Sequence, residues 1–152
     1  MENKADFYSL LTRQAVSLIQ DEPNLIANLS NISALLFQSV DDINWAGFYL
    51  DDGSELVLGP FQGKPACVRI PYGRGVCGRA FSNRRIERVE DVHLFDDHIV
   101  CDAASNSEIV LPLYQGEKCI GVLDIDSPKK ARFDQEDETG LTLLVNELQK
   151  HL

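Results

Sequence analysis

Apolar residues recur at three- and four-residue steps through the opening of the chain. Phe7, Leu10, Leu11, Ala15, Leu18 and Ile19 form one stripe, which predicts an amphipathic helix from position 5 that ends before Pro23. Leu25, Ile26, Leu29, Ile32, Leu35 and Leu36 repeat the period, so a second helix reaches position 39 and stops before Asp41-Asp42. From Ile43 the pattern shortens to runs rich in aromatic and β-branched residues. Ile43 to Leu50 and Glu55 to Leu58 flank Asp51-Asp52-Gly53 and read as a β-hairpin. Further strands are expected at 66–70, 86–89, 108–114 and 118–125, the last two joined by a tight turn at Gln115-Gly116-Glu117. Val76 to Asn83 reads as a short helix after the Pro71-Tyr72-Gly73-Arg74-Gly75 turn, and residues 90–107 as a long polar loop. Asp134 is a candidate N-cap for a closing helix to position 151 that presents Leu141, Leu144, Val145 and Leu148.

The order predicts an α+β domain, a central, mostly antiparallel sheet with helices packed on it. The 152 residues suit a single domain, and 44% hydrophobic against 25% charged residues supplies a core and excludes disordered or repetitive classes. A net charge of −10 removes general attraction to nucleic acid or anionic membranes. No apolar run is long enough to span a bilayer, and the polar start Met1 to Asp6 lacks a secretory pattern, so a cytoplasmic protein is expected. The four cysteines, Cys67, Cys77, Cys101 and Cys119, are too scattered for a disulfide-stapled mini-protein. In a reducing compartment they point to metal, redox or catalytic use, with inert burial the plain alternative for each.

Strand alternation brings candidate chemistry together. Ile120, Val122, Asp124 and Asp126 share one face of their strand, and Glu108, Val110 and Pro112 one face of the preceding strand. A three-residue turn would set Glu108 opposite Asp124. Three carboxylates that close together need full solvation, a compensating cation, or a proton held at raised pKa. A metal set of His93, His98 and Cys101 has no zinc-type spacing and no CxxC partner. Cys101 lies in the polar loop, Cys67 and Cys77 flank the Pro/Gly turn, and Cys119 reads as core. Three cysteines around one site suit thiol–disulfide chemistry better than hydrolysis, although spacing does not say which pair bonds. Trp45, the only tryptophan, is a core residue or the apolar wall of a pocket for a small methyl or thioether group.

These pieces resemble a known family. Asn44-Trp45-Ala46-Gly47-Phe48-Tyr49, Gly63-Lys64-Pro65-Ala66-Cys67, Gly75-Val76-Cys77-Gly78, Val92-His93, His98-Ile99-Val100-Cys101-Asp102, Ser107-Glu108-Ile109-Val110 and Gly121-Val122-Leu123-Asp124-Ile125-Asp126-Ser127 are similar to the free methionine-(R)-sulfoxide reductases, small single-domain proteins of the GAF fold. The resemblance spans nearly the whole chain, and its specific part is the three cysteines with one Glu and two Asp.

The resemblance implies that Cys101 attacks the sulfoxide sulfur, Cys67 resolves it as a disulfide and Cys77 is an auxiliary thiol. It implies that Glu108, Asp124 and Asp126 bind the substrate ammonium and polarise or protonate the sulfoxide oxygen, and that Trp45 packs on the methyl group. Backbone N–H groups of the loop ending at Cys101, with Ile99 and Val100, are the candidates for the substrate carboxylate. No bound cofactor is implied; the reductant is an external dithiol such as NADPH-linked thioredoxin, and the protein is expected to be a homodimer, with the first two helices as candidate contacts. One departure is Phe95-Asp96-Asp97-His98 where the family has a Pro-Gly turn, with Val100 in place of a smaller residue. Negative charges there would raise the Cys101 pKa. The alternatives are a non-catalytic GAF ligand or redox sensor, and a metal-dependent hydrolase using His93, His98 and Cys101.

Overall fold

The structure, a computed structural model, describes residues 3–96, 99, 101 and 104–152. Its helices are α1 (Lys4–Ile19), α2 (Leu25–Ser39), α3 (Gly75–Asn83) and α4 (Gln135–Gln149). Its strands are β1 (Trp45–Asp51), β2 (Leu56–Gly63), β3 (Arg69–Ile70), β4 (Glu87–Val89), β5 (Ser107–Gln115) and β6 (Lys118–Ser127). Short polar side chains start the long helices. Asn3 and Asn24 accept from the Asp6 and Ala27 backbone N–H groups, and Asp134 with Asp137 forms a reciprocal capping box on α4.

The six strands form one curled antiparallel sheet in the order β3-β2-β1-β6-β5-β4. One face carries Ala46, Phe48, Ile109, Leu111, Leu113, Leu123 and Ile125, buried under the apolar stripes of α1, α2 and α4. The other face carries Trp45, Tyr49, Val110, Cys119 and Val122, packed against Val76, Cys77, Ala80 and Phe81 of α3. The sheet thus separates a structural layer from a layer of α3 and loops.

Gly140 lets α1 and α4 meet: a Cβ there would sit 2.2 Å from the buried Tyr8 ring. Tyr8 is also fixed, its hydroxyl donating to Asp137 at 2.7 Å. Gly140→Ala should therefore destabilise the protein by about 1–3 kcal/mol in thermal or urea unfolding, because overpacking outweighs the better helix propensity of alanine. Unchanged stability would mean that the two helices separate freely.

Three expectations change. The β5–β6 turn has two residues, Gly116-Glu117, with Gln115 paired to Lys118, and the ladder shifts between Leu113 and Tyr114. Leu113 pairs with Gly121 but Tyr114 with Cys119, so Ile120 is an inserted bulge residue. The bulge rotates Ile120 toward the helical layer and Cys119 toward the α3 side, reversing the alternation expected for both. It also pairs Glu108 with Asp126, and Val110 with Asp124. A slip of two keeps every carboxylate on its expected face, where a slip of one would not. Finally, the strand expected at 66–70 is reduced to Arg69–Ile70: Val68 still accepts from the Leu58 N–H at 2.8 Å, but Pro65 and the cross-link at Cys67 end the pairing before it.

Candidate active site

Three neighbouring strands set one row of side chains on the α3 side of the sheet: Trp45 on β1 pairs with Asp126 on β6, which pairs with Glu108 on β5. The next row brings Asp124 between Gly47 and Val110. Above these rows lie Cys77 at the start of α3, the segment around Cys67, and the loop with Ile99 and Cys101. Trp45, Cys77, Ile99, Cys101, Glu108, Asp124 and Asp126 line one pocket, with Tyr49, Arg74, Gly75 and Ser105 at its walls.

The thiols are sorted by position. Cys67 and Cys101 form a disulfide with their Cα atoms 5.3 Å apart, whereas Cys77 and Cys119 are free and buried. Residues of β1 hold the segment that carries Cys67. Trp45 Nε1 donates to the Lys64 carbonyl at 3.2 Å, and the Tyr49 hydroxyl donates to the Cys67 carbonyl at 2.8 Å. The Trp45 ring stacks with those of Tyr49 and Phe61, at centroid distances of 5.9 and 5.2 Å, so its plane is fixed. At the base of α3, Gly75 has φ +65°, and a Cβ there would lie 3.1 Å from Ile99, so glycine is what lets the Cys101 loop approach.

The carboxyl groups are not solvated. Glu108 and Asp124 are 8% and 5% exposed, and Asp126 is half-buried. Burial and then the charge of Asp124 push the Glu108 carboxyl well above the usual range; burial and then Asp126 do the same to Asp124. The Cys77 Sγ, 3.8 Å from Glu108 Oε2, is likewise pushed up by burial and by Asp124. These groups keep their protons to higher pH than ordinary carboxyl and thiol groups do, which strand-end solvation would not cause.

His93 is outside the site: its Nε2 meets Asn106 Oδ1 at 3.0 Å, and Asn106 in turn donates to the Pro128 carbonyl. Cys101 is bonded to Cys67, so its sulfur is not a free thiolate ligand for a metal beside His93. His98, Val100, Asp97 and Asp102 lie outside the described residues. Tyr49 was missed in the sequence although it is four residues beyond Trp45 on the same strand face. Arg74 and Gly75 fall in the turn pattern, and Gly75 also in the resemblance, but neither signal shows which cavity they border.

The GAF domain family matches residues 24–152. The chain is 59% identical over 150 residues to the free methionine-R-sulfoxide reductase of Escherichia coli, covering 99% of this chain and 91% of that protein. Among solved structures, a putative GAF sensor protein from Burkholderia vietnamiensis superimposes with a TM-score of 0.95 at 55% identity, covering 99% of this chain and 96% of that one. The free methionine-R-sulfoxide reductase from Neisseria meningitidis, solved in complex with its substrate, superimposes with a TM-score of 0.94 at 45% identity, covering 99% and 91%.

Proposed function

The chain belongs to the GAF-domain family and, within it, to the free methionine-(R)-sulfoxide reductases, and from that premise we propose how its pocket reduces the sulfoxide. The substrate is free L-methionine (R)-sulfoxide. Its methyl group rests on the Trp45 face, its ammonium faces Asp124 and Asp126, and its carboxylate accepts from backbone N–H groups of the loop at Ile99, Val100 and Cys101. A methionine sulfoxide inside a polypeptide lacks the ammonium and carboxylate that this grip requires.

The Cys101 thiolate attacks the sulfoxide sulfur while a protonated carboxyl, Glu108 with Asp126 beside it, gives a proton to the sulfoxide oxygen. In the adduct so formed the hydroxyl passes from the substrate sulfur to Cys101 Sγ as the transient Sγ–S bond and the S–O bond both break, so that methionine leaves with the electron pair and Cys101 is left as a sulfenic acid. The Cys67 thiolate then attacks the Cys101 sulfur, water leaves, and the disulfide forms. An external dithiol such as thioredoxin, itself reduced at the expense of NADPH, returns both thiols by exchange. The observation that carries this reading is that Cys101, bonded to Cys67, lines the same pocket as a buried carboxyl pair. A non-catalytic sensor gives neither feature a role.

Cys77 stands behind the reacting pair as an auxiliary thiol. Because burial holds it protonated, it attacks a sulfenic acid slowly. Cys67→Ser should therefore release about one methionine per chain and then stall, with thioredoxin-coupled turnover reduced at least about tenfold. Rapid-quench measurement of methionine, with trapping of the sulfenic acid by a dimedone-type reagent, checks this. Normal thioredoxin-coupled turnover would remove Cys67 from the resolving role.

The same reading places the protein in the reducing cytoplasm, where a dithiol reductant is present. Among the described residues no helix is long and apolar enough to cross a membrane. Exposed Leu10 and Leu18 on α1, with Ile26 and Phe37 on α2, support a homodimer through the first two helices.

A further inference from the structure

The free thiol at the floor of the pocket has a second use open to it. We propose that Cys77, Glu108 and Asp124 form a binding site for a thiophilic divalent cation such as zinc, which occupies the pocket in place of substrate and so inhibits the enzyme. The three residues each offer one ligand atom, and these atoms lie within 4.8 Å of one another. All three side chains are more than nine-tenths buried. Asp124 Oδ1 has no hydrogen-bond partner, so a buried acceptor is aimed into the cluster unanswered.

The spacing suits zinc. Bonds of roughly 2.3 Å to sulfur and 2.0 Å to oxygen, set tetrahedrally, put sulfur roughly 3.5 Å from oxygen. Cys77 Sγ stands 3.8 Å from Glu108 Oε2, so that pair closes on the ion by a few tenths of an ångström, while the pairs with Asp124, within 4.8 Å, close by up to about 1.5 Å. The ligands come from rigid elements, the start of α3 and the paired strands β5 and β6, rather than from the Cys101 loop. One thiolate with two carboxylates favours zinc, cobalt or cadmium over magnesium or calcium. Three protein ligands leave a fourth position open toward the pocket. None of the three takes part in the Cys67–Cys101 disulfide, so the oxidised protein binds as well as the reduced one.

The test uses the full-length oxidised protein with cobalt(II) or zinc(II) alone. About one cobalt per chain should bind with thiolate-to-cobalt charge-transfer absorption, and zinc should displace it. The band should persist in Cys119→Ser, disappear in Cys77→Ser and weaken at least tenfold in affinity in Asp124→Asn. If Cys77→Ser does not fold, zinc-soaked wild-type crystals serve instead, with an anomalous peak about 2.3 Å from Cys77 Sγ expected. Absence of the band, its survival in Cys77→Ser, or a peak elsewhere would overturn the site. The inhibition rests on the proposed substrate pose. In single-turnover reduction by the dithiol form, zinc at ten times the Kd of this site should raise the half-saturating sulfoxide concentration about elevenfold, a shift that Cys77→Ser should remove. Binding without competition would support the metal site while contradicting the roles given to Glu108 and Asp124.

Discussion

Cys101→Ser is expected to reduce free methionine (R)-sulfoxide at less than about 10⁻⁴ of the wild-type rate, in a single turnover as well as in the coupled assay. Covalent catalysis has no partial form here, because a serine hydroxyl does not accept the sulfoxide oxygen and hand it on as a sulfenic acid does; only binding and electrostatics remain. Cys67 and Cys77 do not substitute. Cys67 is tethered through its own carbonyl to the Tyr49 hydroxyl, and Cys77 is buried, with its thiol pKa pushed up. The variant should fold normally, since losing the Cys67–Cys101 link removes a bond that the reduced enzyme also lacks. Rapid-quench assay of methionine release measures the rate, and reduction at a tenth of wild type or faster would take the attack away from Cys101.

Glu108→Gln should lower the single-turnover rate about 10²- to 10⁴-fold, the usual contribution of a positioned proton donor. The amide keeps the size and the hydrogen-bonding capacity but has no proton of useful acidity. The same change should flatten the pH profile. In wild type the rate falls as pH rises through the elevated Glu108 pKa, and in the variant that limb is lost or moves. Stability should respond in the opposite sense. Burial and Asp124 raise the folded-state pKa of Glu108, so the folded protein binds more protons than the unfolded chain above the ordinary carboxylate range. Its stabilising contribution is full below that range and is lost as pH rises through the raised value. Glu108→Gln should therefore gain thermal stability relative to wild type at alkaline pH while losing activity, a trade expected where function keeps a buried charge. Equal loss of both would indicate a structural role.

The face of each strand that carries chemistry was legible because side-chain direction has a period of two, and the register error, one residue from the turn and one from the bulge, was also two. Glu108, Asp124 and Asp126 therefore emerged together even though the register placed Glu108 against the wrong aspartate. The bulge at Ile120 was not legible. Gly121 follows it, but one glycine in a strand does not fix a bulge, and it reveals itself only through the pairing partners of Leu113 and Tyr114. Burial of the carboxyl groups was hidden for a related reason: strand ends are solvated by default, and the cover supplied by α3 is a tertiary fact. The pairing of Cys67 with Cys101 came from the family resemblance, since 34 residues of separation leave every pairing open on spacing alone. Asp96, one of the two acidic residues that depart from the family, is exposed, so solvent screens its effect on Cys101.

The central claim is that the carboxyl cluster reads the free ammonium of the substrate while the paired cysteines do the reduction. Thioredoxin-coupled NADPH consumption, measured in parallel with free methionine (R)-sulfoxide, its (S)-epimer and the N-acetylated (R)-form, tests it most directly. Turnover of the free (R)-compound alone is the predicted result. Comparable turnover of the N-acetylated form, or none with any of the three from folded and fully reduced protein, would contradict it.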